Sequence, residues 1–301
     1  MVKNAVKRYF EGETLGDVFM QIRDEIRKSP VVAPRGMNTK EIHPAMVCIH
    51  NPRSRLIYNK FRKFNLIYAL VDSLMIFNRS NEVRYLSRFN RNITQFSDDG
   101  KHLNSMYGQY LYDQIPPCIT KLSSSNDTRQ AVMTIYSGDY LEKNTKDVPC
   151  TIALHFMIRN GKLDLTTYMR SNDLIWGFQY DMFVFTMLQE CMANTLGIDV
   201  GDYYHVATSL HLYERDWKLL DKMESVEPIQ FKNELDVFEM MWLAGDFTRS
   251  DILMPSDLHC QTSEIAKLIQ CEQLYQIGKL KKPFATQWSY KFTKRWFKEA
   301  K

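Results

Sequence analysis

Three short segments carry residue types that could do chemistry. In Asp147-Val148-Pro149-Cys150 a thiol closes a loop, and in Met169-Arg170-Ser171-Asn172-Asp173 polar residues crowd a strand end. The third segment is Ser209-Leu210-His211-Leu212-Tyr213. Between the second and third lie Gly177 and Asp181, the latter inside an otherwise apolar helix start. A cysteine attacks carbon as the thiolate, and a neighbouring arginine favours that form. Taken singly, each residue has a plainer reading. Cys150 would be a small buried apolar side chain, Arg170 half of a surface ion pair, and Asp181 a negative charge at a helix N-terminus.

The pattern around these residues predicts the elements that must bring them together. Thr151–Arg159 and Lys162–Tyr168 read as strands, and Asn160-Gly161 between them is a hairpin signal. That pairing sets Cys150 opposite the Arg170 segment. Residues 180–196, rich in Phe, Met and Leu, predict a long helix that carries Asp181 at its start. Upstream, Leu15, Val18, Phe19, Ile22 and Ile26 share one face of a helix over residues 14–28, with Thr14 as cap. Ser29–Asn38, with Pro30, Pro34 and Gly36, reads as loop, and Met46–Ile49 as a buried strand before an Asn51-Pro52 turn. Residues 63–77 predict a buried helix, Gly100 and Gly108 bracket a loop, and Ala131–Tyr136 predicts a strand. After Tyr213 the pattern turns mostly helical, with candidates at 233–244 and 263–278. No internal repeat or flexible linker interrupts the chain, so the expectation is one α+β domain over 1–301.

The bulk numbers agree with a globular protein acting on a small anion. Of 301 residues, 45% are hydrophobic and 25% charged, and the net charge is +4 with basic residues scattered. No dense basic stripe suggests DNA as a partner. The charged amino terminus has no secretory pattern, and no apolar run suggests a membrane span. The six cysteines form neither a Cys-x-x-Cys pair nor a zinc-spaced Cys/His set. The expectation is reduced thiols, a cytoplasmic location and no metal.

The Pro-Cys at 149–150, the Arg-Ser-x-Asp-x-x-x-Gly motif from Arg170 to Gly177, Asp181, and Ser209-Leu210-His211-x-Tyr213 together resemble thymidylate synthases. More closely, they resemble the cytidylate hydroxymethylases of T-even-type bacteriophages. Weaker similarity runs upstream through Arg129, Asn104-Ser105-x-Tyr107-Gly108 and Asp72 to about Arg35. The likeness covers roughly residues 35–215, which leaves 216–301 as a mostly helical extension without an assigned role. The fold it implies is a large mixed or antiparallel sheet flanked by helices.

The resemblance also implies an activity. A thiolate adds to carbon 6 of a pyrimidine nucleotide, and carbon 5 then takes a one-carbon unit from 5,10-methylenetetrahydrofolate. Cys150 matches the nucleophile, and Arg170 matches an arginine that touches both phosphate and thiol. Asp72 aligns with the family's general acid/base glutamate, one methylene shorter, and Tyr107 with a tyrosine that handles protons near carbon 5. Arg35 and Ser171 match phosphate ligands, while His211 and Tyr213 match contacts to the sugar hydroxyl. Asp173, Trp176, Gly177 and Tyr180 would line the folate site. Arg129 matches the first of two arginines donated across a homodimer interface, and the second position is Gln130.

Asp181 stands where thymidylate synthases carry Asn. An ionised carboxylate only accepts hydrogen bonds, which suits the amino group and protonated nitrogen 3 of cytosine and opposes oxygen 4 of uracil. The expectation is therefore a cytidine nucleotide, dCMP or CMP. The stretch Arg91–Phe96 lacks the large Trp expected there, which leaves room for water to capture the carbon-5 methylene and give a hydroxymethyl product. The charged ending Phe297–Lys301 replaces the family's apolar terminus. The alternatives are a cytidylate methylase, a uridylate hydroxymethylase, or a catalytically silent member that binds nucleotide or RNA.

Overall fold

In the computed structural model, residues 6–62, 64–249 and 265–270 are described. Strand β1 (Tyr9–Gly12) leads into helix α1 (Leu15–Ile26), followed by β2 (Val31–Val32), β3 (Thr39–Ile42), β4 (Ala45–Ile49) and β5 (Leu56–Tyr58). Helices α2 (Leu66–Met75), α3 (Arg84–Ser87), α4 (Gly108–Leu111) and α5 (Ile115–Ser124) come next. Then come β6 (Val132–Thr134), β7 (Thr151–Arg159), β8 (Lys162–Met169) and β9 (Asn172–Asp173). Helix α6 (Phe178–Leu196), β10 (Asp199–Ala207), β11 (Leu210–Tyr213), α7 (Trp217–Lys222), β12 (Glu227–Ile229) and α8 (Val237–Arg249) follow.

The expected α+β architecture is present. Six strands form a mixed sheet in the order β1-β4-β10-β8-β7-β6, and β2-β3-β11-β9 form a second sheet. Along β8 the odd-numbered residues from Leu163 to Met169 are buried and the even-numbered ones are not, the period of a sheet with one covered face. Helices α1 and α6 pack on the covered face, and α2 packs on α6. The buried side chains there form one cluster. The opposite face carries Met46, Val132 and Tyr168, 39%, 45% and 38% exposed.

Local rules account for the main elements. Thr14 and Asp17 form a reciprocal capping box at the start of α1. Asn160 and Gly161 both take positive φ, 52° and 73°, the two-residue turn whose twist matches paired strands. The hairpin β7–β8 places Thr151 opposite Met169, with a register shift at Ile152.

Several boundaries differ from expectation. Within Ser29–Asn38, β2 pairs with β3 and Pro34–Gly36 makes a 3-10 turn. Helix α2 begins only at Leu66, because Asn65 caps it through the Tyr68 amide at 3.0 Å. Helix α8 begins at Val237 rather than 233, since Asn233 is drawn into a buried polar cluster. Of the candidate at 263–278, residues 265–270 are helical and the rest lies outside the described residues, as does Phe297–Lys301. The segment after 215 is not purely helical: β12 pairs with β5, and α8 packs on α6 and α2. Val237, Met240 and Leu243 are fully buried core residues, with Met241 partly buried against them.

Candidate active site

The ends of β7 and β8 place Cys150 beside Arg170. The Arg170 amide donates to the Cys150 carbonyl at 2.9 Å, which continues the hairpin ladder by one residue. The Arg170 guanidinium folds back over the loop, with Nε 3.0 Å from the Pro149 carbonyl and Nη2 2.8 Å from that of Val148. Nη2 also lies 3.7 Å from Cys150 Sγ. Burial pushes the thiol above its ordinary range; Arg170 and Arg35 pull it down, and Asp181 and Asp147 push it up. The expected arginine effect is present, but burial outweighs it. The resting group is a thiol.

Two carboxyls share this neighbourhood. Asp72 comes from α2, one turn after Tyr68, and burial raises it to about 7. Asp181 comes from the first turn of α6, and burial raises it to about 7 as well. Asp72 and Asp173 push Asp181 further up, while a hydrogen bond from Asn172 Nδ2 to Asp181 Oδ2, 2.6 Å, pulls it down. Tyr107 completes the group: its hydroxyl oxygen accepts from the Thr151 amide at 3.3 Å, and burial raises it well above its usual value. Cys150 and Asp181 add to that rise, so thiol, phenol and carboxyl act on one another.

A second cluster borders the first. Strand β11 pairs in parallel with β9, which sets His211 opposite Asp173, and antiparallel with β3, which sets His211 opposite Glu41. Burial lowers His211, with Asp173 pulling the other way. Its ring meets Tyr213 edge-on at 5.0 Å. Arg35 is exposed and non-glycine at φ 53°, and its charge bears on both His211 and Cys150. Ser171 is half-buried beside Arg170. Arg129 does not join these residues. Its carbonyl accepts from His155 Nε2 at 3.1 Å, five residues along β7 from Cys150, a separation of about 17 Å.

The residues expected at a folate site form an aromatic platform. Asp173 Oδ1 accepts from the amides of Ile175 and Trp176 at 2.8 and 3.1 Å, which fixes the turn into α6. Trp176 is 48% exposed, and the Arg62 guanidinium lies 4.3 Å from its ring centroid. Arg62 also faces Tyr180 at 5.6 Å, and Tyr180 stacks on Phe64 at 4.6 Å. Gly177 is needed for close approach: a Cβ there would sit 3.0 Å from Asn172 Nδ2 and 3.2 Å from the Asp173 carbonyl. An exposed indole flanked by a cation suits a flat, electron-rich heterocycle.

Sequence reasoning missed Arg62, Phe64, Tyr68, Glu41 and His205. The Tyr68–Asp72 spacing, one helical turn, was a usable signal; Glu41 and His205 depend on pairings between distant strands, and Arg62 and Phe64 on a loop packing against Trp176 and Tyr180. It also missed Glu11, Cys48 and His50, metal-ligand residue types that β1 and β4 bring together. There the His50 ring is held between Glu11 at 3.0 Å and Asp202 at 3.1 Å. The described cysteines 48, 118, 150 and 191 are free.

Comparison with known proteins adds to this geometry. The family model for thymidylate synthase matches residues 36–261. A deoxyuridylate hydroxymethyltransferase of Bacillus phage SP01 is 37% identical over 246 residues, 75% of this chain and 64% of that protein. Proteins of the same description from Pseudomonas phage M6 and Delftia phage PhiW-14 are 32% and 30% identical, over 65% and 55% of this chain. The matched region spans between half and two thirds of these relatives' length (64%, 56% and 51%).

Proposed function

The chain belongs to the thymidylate synthase family, and from that premise we propose that it hydroxymethylates carbon 5 of a pyrimidine nucleoside monophosphate, with deoxyuridylate as the leading substrate. The observation that carries the reading is the convergence of a half-buried thiol, an arginine 3.7 Å from it, and two carboxyls raised to about 7. Methylenetetrahydrofolate, as co-substrate, supplies the one-carbon unit. Arg170, Arg35 and Ser171 hold the phosphate, and Arg129 reaches the site of a second subunit in a homodimer. His211 and Tyr213 hold the sugar, and the Trp176–Arg62–Tyr180 platform holds the pterin, with Asp173 and Gly177 shaping its edge.

In the chemistry proposed, Cys150 gives up its proton as the nucleotide arrives, and the sulfur adds to carbon 6. Carbon 5 then acts as the nucleophile toward the one-carbon unit. A base removes the carbon-5 proton as the bond from the one-carbon unit to the folate nitrogen breaks, which leaves an exocyclic methylene with sulfur still on carbon 6. Water adds to that methylene, and sulfur then leaves to restore the double bond between carbons 5 and 6. Asp72, near neutrality, is suited both to take and to return protons at that pH. Tyr107 shields and orients the carbon-5 side.

The choice of base turns on the proton of Asp181. A neutral carboxyl offers one O–H donor and one C=O acceptor, the same pair as an amide, and so complements nitrogen 3 and oxygen 4 of uracil. With Asp181 raised to about 7, that form is populated near neutral pH. The exclusion of uracil drawn from an ionised aspartate therefore loses its premise, and the description of the phage relatives favours uridylate. A cytidylate substrate, dCMP or CMP, is the second reading. It is favoured by the Asn172 hydrogen bond, which stabilises the anion that protonated cytosine would pair with.

The test is incubation with methylenetetrahydrofolate and dUMP, dCMP or CMP, reading the nucleotide by mass and the folate by absorbance. A hydroxymethyl gain without dihydrofolate supports the proposal, and the substrate that gains it names the base. A methyl gain with dihydrofolate overturns water capture. No turnover, with nucleotide bound, moves the silent-binder reading forward.

A further inference from the structure

Behind Asp181 runs a buried chain of side chains that the chemistry above leaves unused. Asn172 donates to Asp181 Oδ2 at 2.6 Å, and Asn172 Oδ1 lies 3.0 Å from His205 Nε2. His205 Nδ1 lies 3.1 Å from Tyr203 Oη, and Tyr203 Oη lies 3.0 Å from Thr167 Oγ1. Four of the five members are buried, with Asn172 3% exposed, His205 1%, and Tyr203 and Thr167 fully covered. The chain crosses β9, β10 and β8 before it reaches the first turn of α6.

A core of this kind normally has no need of an imidazole. Burial pushes His205 down to about 3, so the ring is neutral and carries one hydrogen. Facing a carbonyl oxygen, that hydrogen belongs on Nε2, which leaves Nδ1 as acceptor toward Tyr203. The ring is locked in place, with Phe178 packed edge-on against it at 5.5 Å. Asn172 is thereby held amide-forward, and Gly177 leaves the space that its Nδ2 occupies, since a Cβ would come within 3.0 Å. Asp181 Oδ2 is thereby fixed as an acceptor, with its second lone pair still open to a ligand, and Oδ1 is the oxygen that carries the proton when the acid is neutral.

We infer that the Asn172–His205–Tyr203–Thr167 chain orients the Asp181 carboxyl and sets which pyrimidine edge it reads, making Asn172 and His205 positioning residues for base recognition. The inference rests on the nucleotide site proposed above. The direction of its effect follows from the chemistry. The Asn172 donor favours the carboxylate, against Asp72 and Asp173 which oppose it. The carboxylate complements only protonated cytosine, whereas the neutral acid also accepts uracil. Loss of the donor therefore tilts recognition toward uracil.

The test compares wild type with Asn172→Ala, His205→Phe and His205→Gln. Kd for dUMP and dCMP by calorimetry, kcat/KM for both, KM for the folate and Tm are measured. Asn172→Ala and His205→Phe are expected to raise the dUMP-to-dCMP ratio by about 5-fold or more, in binding and turnover alike, with folate KM within about 2-fold. His205→Gln, which restores a donor to the Asn172 carbonyl, is expected to recover most of the wild-type ratio. A lowered Tm with an unchanged ratio in Asn172→Ala overturns the inference and leaves a structural role. Absence of turnover in the wild type sinks the proposed reaction but not this inference, which the ratio of dissociation constants still decides. Failure of the wild type to bind either nucleotide overturns both.

Discussion

Two buried clusters of charge lie on α6, and they are built on opposite terms. Toward its C-terminal half, Glu190 is completely buried and fully answered: Arg53 Nε lies 2.6 Å from one oxygen, Arg55 Nη2 2.5 Å from the other, and the Asn233 amide donates at 3.0 Å. In the first turn, Asp181 has one amide donor and two other carboxyls for company. Glu190 lies between two guanidiniums, and it ties residues 53–55 to the segment around 233. Asp181 and Asp72 instead drift to about 7. Burying a carboxyl without a cation costs stability. A site that keeps such groups retains capacity to bind and to move protons, whereas a structural cluster spends that capacity internally.

The sharpest break of this contrast is Cys150→Ala, expected to lower turnover by at least ~10³-fold with Tm little changed. Retained turnover would remove the thiol from the chemistry. Arg55→Ala should act the other way round, destabilising by about 3–5 kcal/mol in urea titration because Glu190 loses a fully buried partner, with folded protein still active. Next comes Asp181→Asn, which swaps a titrating group for a fixed donor–acceptor pair. It should retain dUMP turnover and depress dCMP turnover by about 10- to 100-fold, the scale of one misread base edge. An unchanged ratio would show that Asp181 does not read the base.

Stability against pH tests the same contrast more gently. Asp72 and Asp181 have folded values raised from 3.8 to about 7. Their contribution is complete below about 4, where both states are protonated. It is lost as pH rises through about 7, because the unfolded chain releases its protons first. Scanning Tm from pH 4 to 8 should therefore give a steeper decline for wild type than for Asp72→Asn. Equal slopes would mean that Asp72 is ionised in the fold. The smallest effect is expected for Arg53→Ala, about 1 kcal/mol, since that side chain is 26% exposed and Arg55 still answers Glu190.

Much of the frame was legible because it rests on local rules. The capping box at Thr14, the Asn160-Gly161 turn and the alternation along β7 and β8 each follow from neighbouring residues. Together they brought Cys150 and Arg170 side by side. The boundaries that slipped are those where a distant partner intervenes. Asn233 is held by Glu190 and delays α8, and β12 finds its partner in β5, some 170 residues earlier in the chain.

The sequence by itself determined which groups are present and the hairpin that pairs the thiol with its arginine, since both depend on residue identity and short-range geometry. Only the tertiary structure decided their chemical state. Burial outweighs Arg170 at the Cys150 thiol and lifts Asp72 and Asp181 toward neutrality. Packing of β9, β10 and α6 lines His205 and Asn172 up behind Asp181. Desolvation and hydrogen-bond direction depend on what surrounds a group in space, and spacing along the chain carries neither.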